Sequence, residues 1–314
     1  MKDAFCTLFD SSFAPQGIAL LNSIEKFMPG APRFVLAMDS RVEEILNKFF
    51  KGTVHIIQLS QIENDSLLRV KADRTVGEYC WTLTPFLPDF ILSQFPSLSS
   101  VTYLDADVFF FSSPMIMLDE LRVHRKQVLI TEHGYDPKYD QTLKSGKFCV
   151  QFTTFTNSEK AREILHWWKT RCLEWCYARV EDGKFGDQKY LDVWPEIFQD
   201  AVHIYSNCQH TLAPWNVEWF LKKDGASAIN TPVLYHFHGL RLFSDRTRLF
   251  DGYSISKQAQ ELFYQPYLKA VISIVNHFRG SNLLAIKPWK SSISERIRLF
   301  VKKVQRRVKF VPIP

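Results

Sequence analysis

The chain has 314 residues, 46% of them hydrophobic and 23% charged, a balance that excludes a largely disordered protein and supplies core for one large domain or two small ones. No uninterrupted apolar run reaches the ~20 residues a membrane span needs, and the first residues lack the charged and apolar regions of a secretory leader, so a cytoplasmic protein is expected. The net charge of +6 is concentrated in a tail, where from Lys290 onward eight Lys and Arg residues accompany one acid, Glu295; the near-neutral remainder offers no basic face for nucleic acid.

In chain order, Ala4 to Phe9 reads as a first strand, followed by the polar turn Asp10-Ser11-Ser12 and a helix with apolar positions at Ile18, Leu21, Ile24 and Phe27. Arg33 to Met38 reads as a second strand ending at Asp39, then a helix runs to about Phe50 and a strand covers Val54 to Ile57. This β-α-β-α-β run predicts a parallel, Rossmann-like sheet. No glycine-rich phosphate loop follows the first strand, so a dinucleotide-dependent dehydrogenase is disfavoured and any diphosphate needs another charge partner. Asp65 to Arg74 reads as a charged loop. Val76 to Gln94 reads as helix, bent or broken by Pro85 and Pro88. Further strands are expected at Val128 to Thr131 and at Phe148 to Phe152, and Asn157-Ser158 can cap a helix reaching about Tyr177. The last strand of the body, Pro232 to Tyr235, runs into His236-Phe237-His238-Gly239. The six cysteines are scattered through apolar runs and read as reduced core thiols. Cys172 and Cys176 lie one helical turn apart with no second pair to complete a zinc site, and are expected to pack on a helix face.

The chemistry gathers at Val101-Thr102-Tyr103-Leu104-Asp105-Ala106-Asp107-Val108-Phe109-Phe110-Phe111. A buried strand runs into two carboxylates at its carboxyl end, where ligands bind in open α/β sheets. In extended chain, residues two apart share a side, which would let Asp105 and Asp107 share one divalent cation. Two unpaired buried carboxylates are costly, so a cation or a solvent-filled cleft is required there. A strand end whose acids cap the next loop is the plain structural alternative. His236 is the candidate third ligand, and carboxylate plus imidazole suits Mn²⁺ better than Mg²⁺; alternatively His236 and His238 straddle a sheet, one in the core and one in solvent. Gly239 lets backbone approach a phosphate closely, and Arg241 can neutralise diphosphate charge.

The order strand-turn-Asp10, Cys80-Trp81-Thr82-Leu83-Thr84, Asp105-Ala106-Asp107, Asp187-Gln188 and His236-x-x-Gly239 resembles the family 8 glycosyltransferases, which include glycogenins and bacterial lipopolysaccharide galactosyl- and glucosyltransferases. The resemblance covers residues 3 to 245. It implies a GT-A fold, a mixed Rossmann-like sheet flanked by helices, spanning residues 1–280 ahead of a basic tail, 281–314. It further implies a UDP-hexose donor, a Mn²⁺ (or Mg²⁺) site at Asp105, Asp107 and His236, and transfer with retention to a glycan, lipid-linked or protein acceptor, in surface polysaccharide or lipopolysaccharide synthesis. Thr7, Phe9 and Asp10 would line the uracil and ribose pocket, with Tyr103 and Leu104 beside them on the metal strand, and Asp187 and Gln188 would lie beneath the reacting sugar. Three positions depart from the family pattern. The donor lysine falls on Gly77, for which Arg74 is a candidate replacement. The Asn-x-Gly strand reads Cys149-Val150-Gln151, so Gln151 is expected to contact the sugar. The lysine that follows His-x-x-Gly falls on Leu242, leaving Arg241 as the nearest cation.

No activated Ser or Cys nucleophile is recognisable. Front-face attack, in which the departing phosphate helps deprotonate the acceptor, is favoured over a covalent intermediate on Asp187. An Asp-Gln pair that simply opens a helix, the acid near its positive end, is the structural alternative. Trp215-Asn216 reads equally as an acceptor-sugar platform or as core. Apolar positions at Ile293, Ile297, Phe300, Val301, Val304 and Val308, set among Arg296, Lys302, Lys303, Arg306 and Arg307, describe a basic amphipathic helix suited to an anionic membrane surface or to docking on its own domain. A haloacid-dehalogenase-type phosphatase also carries D-x-D, but Val108 to Phe111 lacks the residues that should follow it. A catalytically silent GT-A-fold module that binds glycan or lipid is the alternative from another class.

Overall fold

In the computed structural model, residues 2–224, 232–290 and 293–313 are described. Their strands, in chain order, are β1 (Lys2–Phe9), β2 (Arg33–Ala37), β3 (His55–Gln58), β4 (Leu98–Leu104), β5 (Val108–Phe110), β6 (Val128–Glu132), β7 (Phe148–Thr156), β8 (Val202–Tyr205), β9 (Thr211–Leu212), β10 (Leu234–His236), β11 (Arg241–Leu242), β12 (Arg246–Asp251) and β13 (Val308–Pro312).

Seven of these form the central sheet in the order β3-β2-β1-β4-β7-β6-β8. The first three βα units run parallel, as the alternating strand and helix pattern predicts, because each crossover helix returns the chain to the same end of the sheet. The sheet is mixed: β7 runs antiparallel to both β4 and β6. Its central strands are buried along nearly their whole length, and apolar clusters cover both faces. One holds Phe5, Val35, Leu104 and Phe152 against the helix Ala14–Phe27; the other holds Cys6, Leu36, Val101 and Phe155 against the helix Glu159–Glu174.

Several boundaries differ from the expectations. Asp65–Lys71 is a helix, started by the Asn64 side chain accepting from the Ser66 and Leu67 N–H groups; its charge reflects exposure, not irregular backbone. The 76–94 stretch is two helices, Val76–Leu83 and Phe86–Gln94, with the first opened by the reciprocal Thr75/Glu78 capping box. The long helix capped by Ser158 ends at Glu174, because Trp175 turns to an extended conformation. Cys176 is therefore past the helix end, although it and Cys172 are both buried.

Two three-stranded sheets complete the fold, β5-β10-β9 and β11-β12-β13. The tail helix is Ile293–Val304, so Val308 is not on it but opens β13, which pairs antiparallel with β12. Leu299 is buried and Lys302 is paired with Asp251, while Phe300, Val301 and Val304 are exposed. The side chains of Ile293, Arg296 and Ile297 lie outside the described ones.

Candidate functional site

The strand β4 ends at Leu104, and Asp105 to Val108 form a tight turn closed by the Val108 N–H donating to the Asp105 carbonyl at 3.1 Å. The two acids are thus not held on one side by extended chain; the turn aims them together while carrying the chain from the central sheet into β5. There β5 pairs antiparallel with β10, placing His236 opposite Val108, and the Phe237 N–H donates to the Asp107 carbonyl at 2.8 Å. The result is a close cluster. His236 Nε2 lies 3.1 Å from an Asp107 oxygen and 3.9 Å from an Asp105 oxygen. Ligand atoms of Asp105, Cys149 and His236 all lie within 4.8 Å of one another.

The strand β7 supports this cluster from below. Cys149 and Gln151, two apart and so on the same face, both reach His236. Gln151 Oε1 lies 2.9 Å from His236 Nδ1. An amide oxygen accepts there, so Nδ1 carries hydrogen and Nε2 is left facing the carboxylates, the arrangement that orients a metal-binding imidazole. Gln151 is fully buried and its Nε2 has no partner among the described residues. Its amide therefore positions His236, where the sequence suggested contact with a sugar.

Electrostatics separate the acids. Burial pushes the Asp105 carboxyl up to about 6 against the pull of His236. For Asp107, burial acts in the same direction, but the charge and hydrogen bond of His236 outweigh it and hold the carboxyl well below the usual range. His236 is correspondingly raised, burial being overcome by Asp107. Two carboxylates and an imidazole fit a divalent cation such as Mn²⁺, and the His236–Asp107 ion pair joins two of these groups.

Asp187 lies nearby and is buried, with Oδ2 unpartnered among the described residues. Burial, with the Asp105 charge adding to it, pushes its carboxyl up to about 7 against a hydrogen bond from Thr84. Its carbonyl accepts from the Trp168 indole N–H at 2.9 Å. Gln188, half-buried, opens a 3₁₀ turn, Gln188–Val193. Tyr103 is buried on β4, and its hydroxyl hydrogen-bonds with Asp105.

At the end of β1, Thr7 is buried with its hydroxyl unpartnered among the described residues. The Asp10 carboxylate accepts from the Ser12 and Phe13 N–H groups and from the Ser12 hydroxyl at 2.6 to 3.1 Å. A cavity of about 750 Å³ opens beside this turn and extends to Arg241, whose guanidinium lies 5.2 Å over the Phe13 ring. The Phe9 ring is buried away from this cavity and packs against Gly17, leaving no room for a side chain there. Gly239 has φ of +83°, in the region that favours glycine; it makes the turn between β10 and Arg241.

Three expected ligands are engaged elsewhere. Arg74 is buried between two helices, donating to the Thr82 hydroxyl and, at 2.8 Å, to the Leu173 carbonyl, so it does not replace the donor lysine missing at Gly77. Asn216 is fully buried, and its amide joins the Ala213 N–H to the His133 and Thr211 carbonyls. The Trp215 indole N–H donates to the His133 carbonyl at 2.8 Å, and the ring packs edge-on to His236 with centroids 5.3 Å apart. Trp215 thus packs behind His236, Asn216 is consumed by backbone, and both are buried, presenting no open face to an acceptor. Sequence reasoning also missed Cys149; the two-residue period of a strand already carrying Gln151 was the signal for it.

No family model matches the chain. The uncharacterized protein YfnF of Bacillus subtilis (strain 168) is 30% identical over 260 residues, spanning 78% of this chain and 84% of its own length. YfnD of the same organism is 29% identical over 276 residues, spanning 84% and 87%. Among solved structures, the galactosyltransferase LgtC in complex with donor and acceptor sugar analogues matches with a TM-score of 0.55 at 13% identity, covering 88% of this chain and 99% of that one. GlyE, a glycosyltransferase of Streptococcus pneumoniae TIGR4, matches with a TM-score of 0.51 at 16% identity, covering 93% and 66%. Mouse xyloside xylosyltransferase 1 in its apo form matches at 0.50 and 11%, covering 76% and 98%. At such identities the likeness is one of fold, and the fold is GT-A.

Proposed function

The chain belongs to the family of Bacillus subtilis YfnF and has the GT-A fold, and we propose that it is a metal-dependent hexosyltransferase using a UDP-sugar, retaining anomeric configuration and serving surface polysaccharide synthesis. The observation that carries this reading is the convergence of Asp105, Asp107 and His236 from two sheets onto one point at the carboxyl end of β4. These residues would hold a divalent cation, whose charge would make the diphosphate a better leaving group. Asp10 offers polar atoms for the nucleoside in the cavity beside the first turn, and Arg241, which lines the same cavity, offers a guanidinium to the diphosphate.

The remaining residues bind and orient. Asp187, whose carboxyl titrates near neutrality, can keep a proton and donate to a sugar hydroxyl, while Gln188 beside it offers an amide. Retention then needs no protein nucleophile, because the acceptor attacks from the face the diphosphate leaves and gives its proton to the departing phosphate oxygen. The acceptor is a glycan, a lipid-linked sugar or a protein. Among the described residues no helix is long and apolar enough to cross a membrane. The exposed Phe300, Val301 and Val304 beside Lys303 and Arg306 support peripheral attachment at the cytoplasmic face of a membrane.

The test is release of UDP from a panel of UDP-sugars, with Mn²⁺ and with chelator, on wild type and Asp105→Ala. Metal-dependent release from one donor, lost in the variant, is expected. Absence of release from every donor, together with absence of metal-dependent UDP binding, would leave a silent glycan-binding module as the better reading.

A further inference from the structure

Charge at the proposed diphosphate site does not close with the residues so far assigned. Two carboxylates and a divalent cation together are about neutral, so the cation alone brings no net positive charge to an anionic diphosphate. Arg241 is a single cation, and neither Gly77 nor Leu242 adds another. Arg74, as shown above, is committed to Thr82 and Leu173.

The cavity beside the Asp10 turn has a second wall that comes from far along the chain. Ala285, Ile286, Lys287, Pro288 and Lys290 line it together with Asp10, Ser12 and Phe13, and with Arg241 and Leu242. This segment is pinned across the opening at three places. The Ala285 N–H donates to the Ser11 carbonyl at 3.3 Å, the Ser244 N–H to the Lys287 carbonyl at 3.1 Å, and the Trp289 N–H to an Asp245 carboxylate oxygen at 3.1 Å. Trp289 is held further by the Phe310 ring of β13, with centroids 5.2 Å apart, and by the Arg246 guanidinium, 4.9 Å from its ring centre. The backbone of Lys287 is therefore fixed. Neither the Lys287 nor the Lys290 ammonium group has a hydrogen-bond or ion-pair partner among the described residues.

We propose that Lys287 and Lys290, carried across the cavity by the pinned segment 285–290, bind the phosphates of the nucleotide together with Arg241 and take the place of the lysine absent at Leu242. The inference rests on the transferase reading and adds to it the residues that recognise the diphosphate. It also orients the nucleotide. Within the cavity Asp10 suits ribose hydroxyls and base N–H groups, while Arg241, Lys287 and Lys290 suit phosphate. Arg241 stands five residues past His236, just after the turn at Gly239, so the basic group leads back along the chain to the Asp105, Asp107 and His236 cluster. β13 gains a role as well, since it holds Trp289 and through it the lysines.

The test compares UDP with uridine, which lacks the phosphates, by calorimetry on the full chain with Mn²⁺ present, for wild type, Lys287→Ala/Lys290→Ala and Lys309→Ala. Lys309 bonds to Gln260 at another cleft and serves as the charge control. In the double variant UDP affinity is expected to fall at least about tenfold, the loss of roughly one charge-assisted contact, with a shallower salt dependence. Uridine affinity should stay within about twofold, and Lys287→Arg/Lys290→Arg should restore most of the loss. Wild type that binds UDP while the double variant binds it equally well would overturn the lysine assignment and leave the transferase reading standing. Wild type that binds neither UDP nor uridine would take down both.

Discussion

The Asp187 carboxyl makes a pH-dependent contribution whose sign and size can be worked out. Burial raises it from the ordinary value of 3.8 to about 7. Between those values the native protein keeps a proton that the unfolded chain has released, so stability falls as pH rises and levels off above about 7. The full difference is roughly three units, or about 4 kcal/mol at 1.36 kcal/mol per unit. From pH 5.5 to 8, the accessible part is about 2 kcal/mol. For a chain of this length that corresponds to about 3 °C in Tm. Asp187→Asn removes the titration and should flatten stability against pH by that amount, measured by urea or thermal unfolding of the metal-free protein at half-unit intervals. Taken as the equal of the protonated acid, the Asn side chain gains about 2 kcal/mol at pH 5.5 and about 4 kcal/mol at pH 8, less the same packing cost of its amide at both. Because the comparison uses the slope and not the absolute stability, packing differences cancel. An Asp187→Asn protein with the same slope as wild type would refute the claim that a buried, proton-holding carboxyl lies beneath the sugar site.

Two further outcomes follow from the hydrogen-bond assignments. Gln151→Leu removes the acceptor for His236 Nδ1, and Mn²⁺ affinity should drop by about 10- to 100-fold, the usual cost of losing a group that orients a metal ligand; titration followed by the paramagnetic resonance of free Mn²⁺ would detect it, and an unchanged affinity would remove Gln151 from the metal site. Arg74→Ala leaves the Leu173 carbonyl without its partner and should destabilise the fold by about 1–3 kcal/mol, while the UDP affinity of the folded variant stays at the wild-type value. A selective loss of UDP binding with stability intact would return Arg74 to the donor site.

The legible parts of this chain are those in which local pattern and final environment agree. The first βα units could be read because each strand is a short apolar run and the first helix has a recognisable apolar face, and Ser158 does cap the helix it precedes, as Asp39, read only as a strand end, caps its own. Asp105, Asp107 and His236 could be suspected because their types and flanking strands suit a cation, and the structure brings them together. What could not be read was the destination of long polar side chains. Arg74 and Gln151 are buried with partners 99 and 85 residues away, and no local rule predicts such pairings. Asn216 was ambiguous for the same reason, since its amide is consumed by the backbone of Ala213, His133 and Thr211. The place of 285–290 was hidden because the segment has no regular structure, and only its tertiary hydrogen bonds bring its lysines to the cavity that Asp10 also lines.

The cluster of Asp105, Asp107 and His236 sits on a seam between two sheets, so its geometry depends on the register of the smaller one. His236 faces the acids only because β10 pairs with β5 as it does, with His236 opposite Val108 and Leu234 opposite Phe110. A slip by one residue would present Tyr235 or Phe237 to the carboxylates instead. The neighbours oppose that slip. Phe237 stacks on Tyr267 with ring centroids 3.7 Å apart, Tyr235 lies 5.6 Å from Tyr264, and both rings are fully buried. The Phe237 N–H is also tied to the Asp107 carbonyl. The alternation of aromatic and histidine residues in Tyr235-His236-Phe237-His238 thus does two jobs with one strand period. The aromatic positions lock the strand onto the helix Gln265–His277 and the turn before it, and the lock fixes where the imidazole of His236 points. A ligand set drawn from distant parts of the chain is positioned in this way by core packing, which explains why the aromatic residues around it are as tightly buried as those of the central sheet.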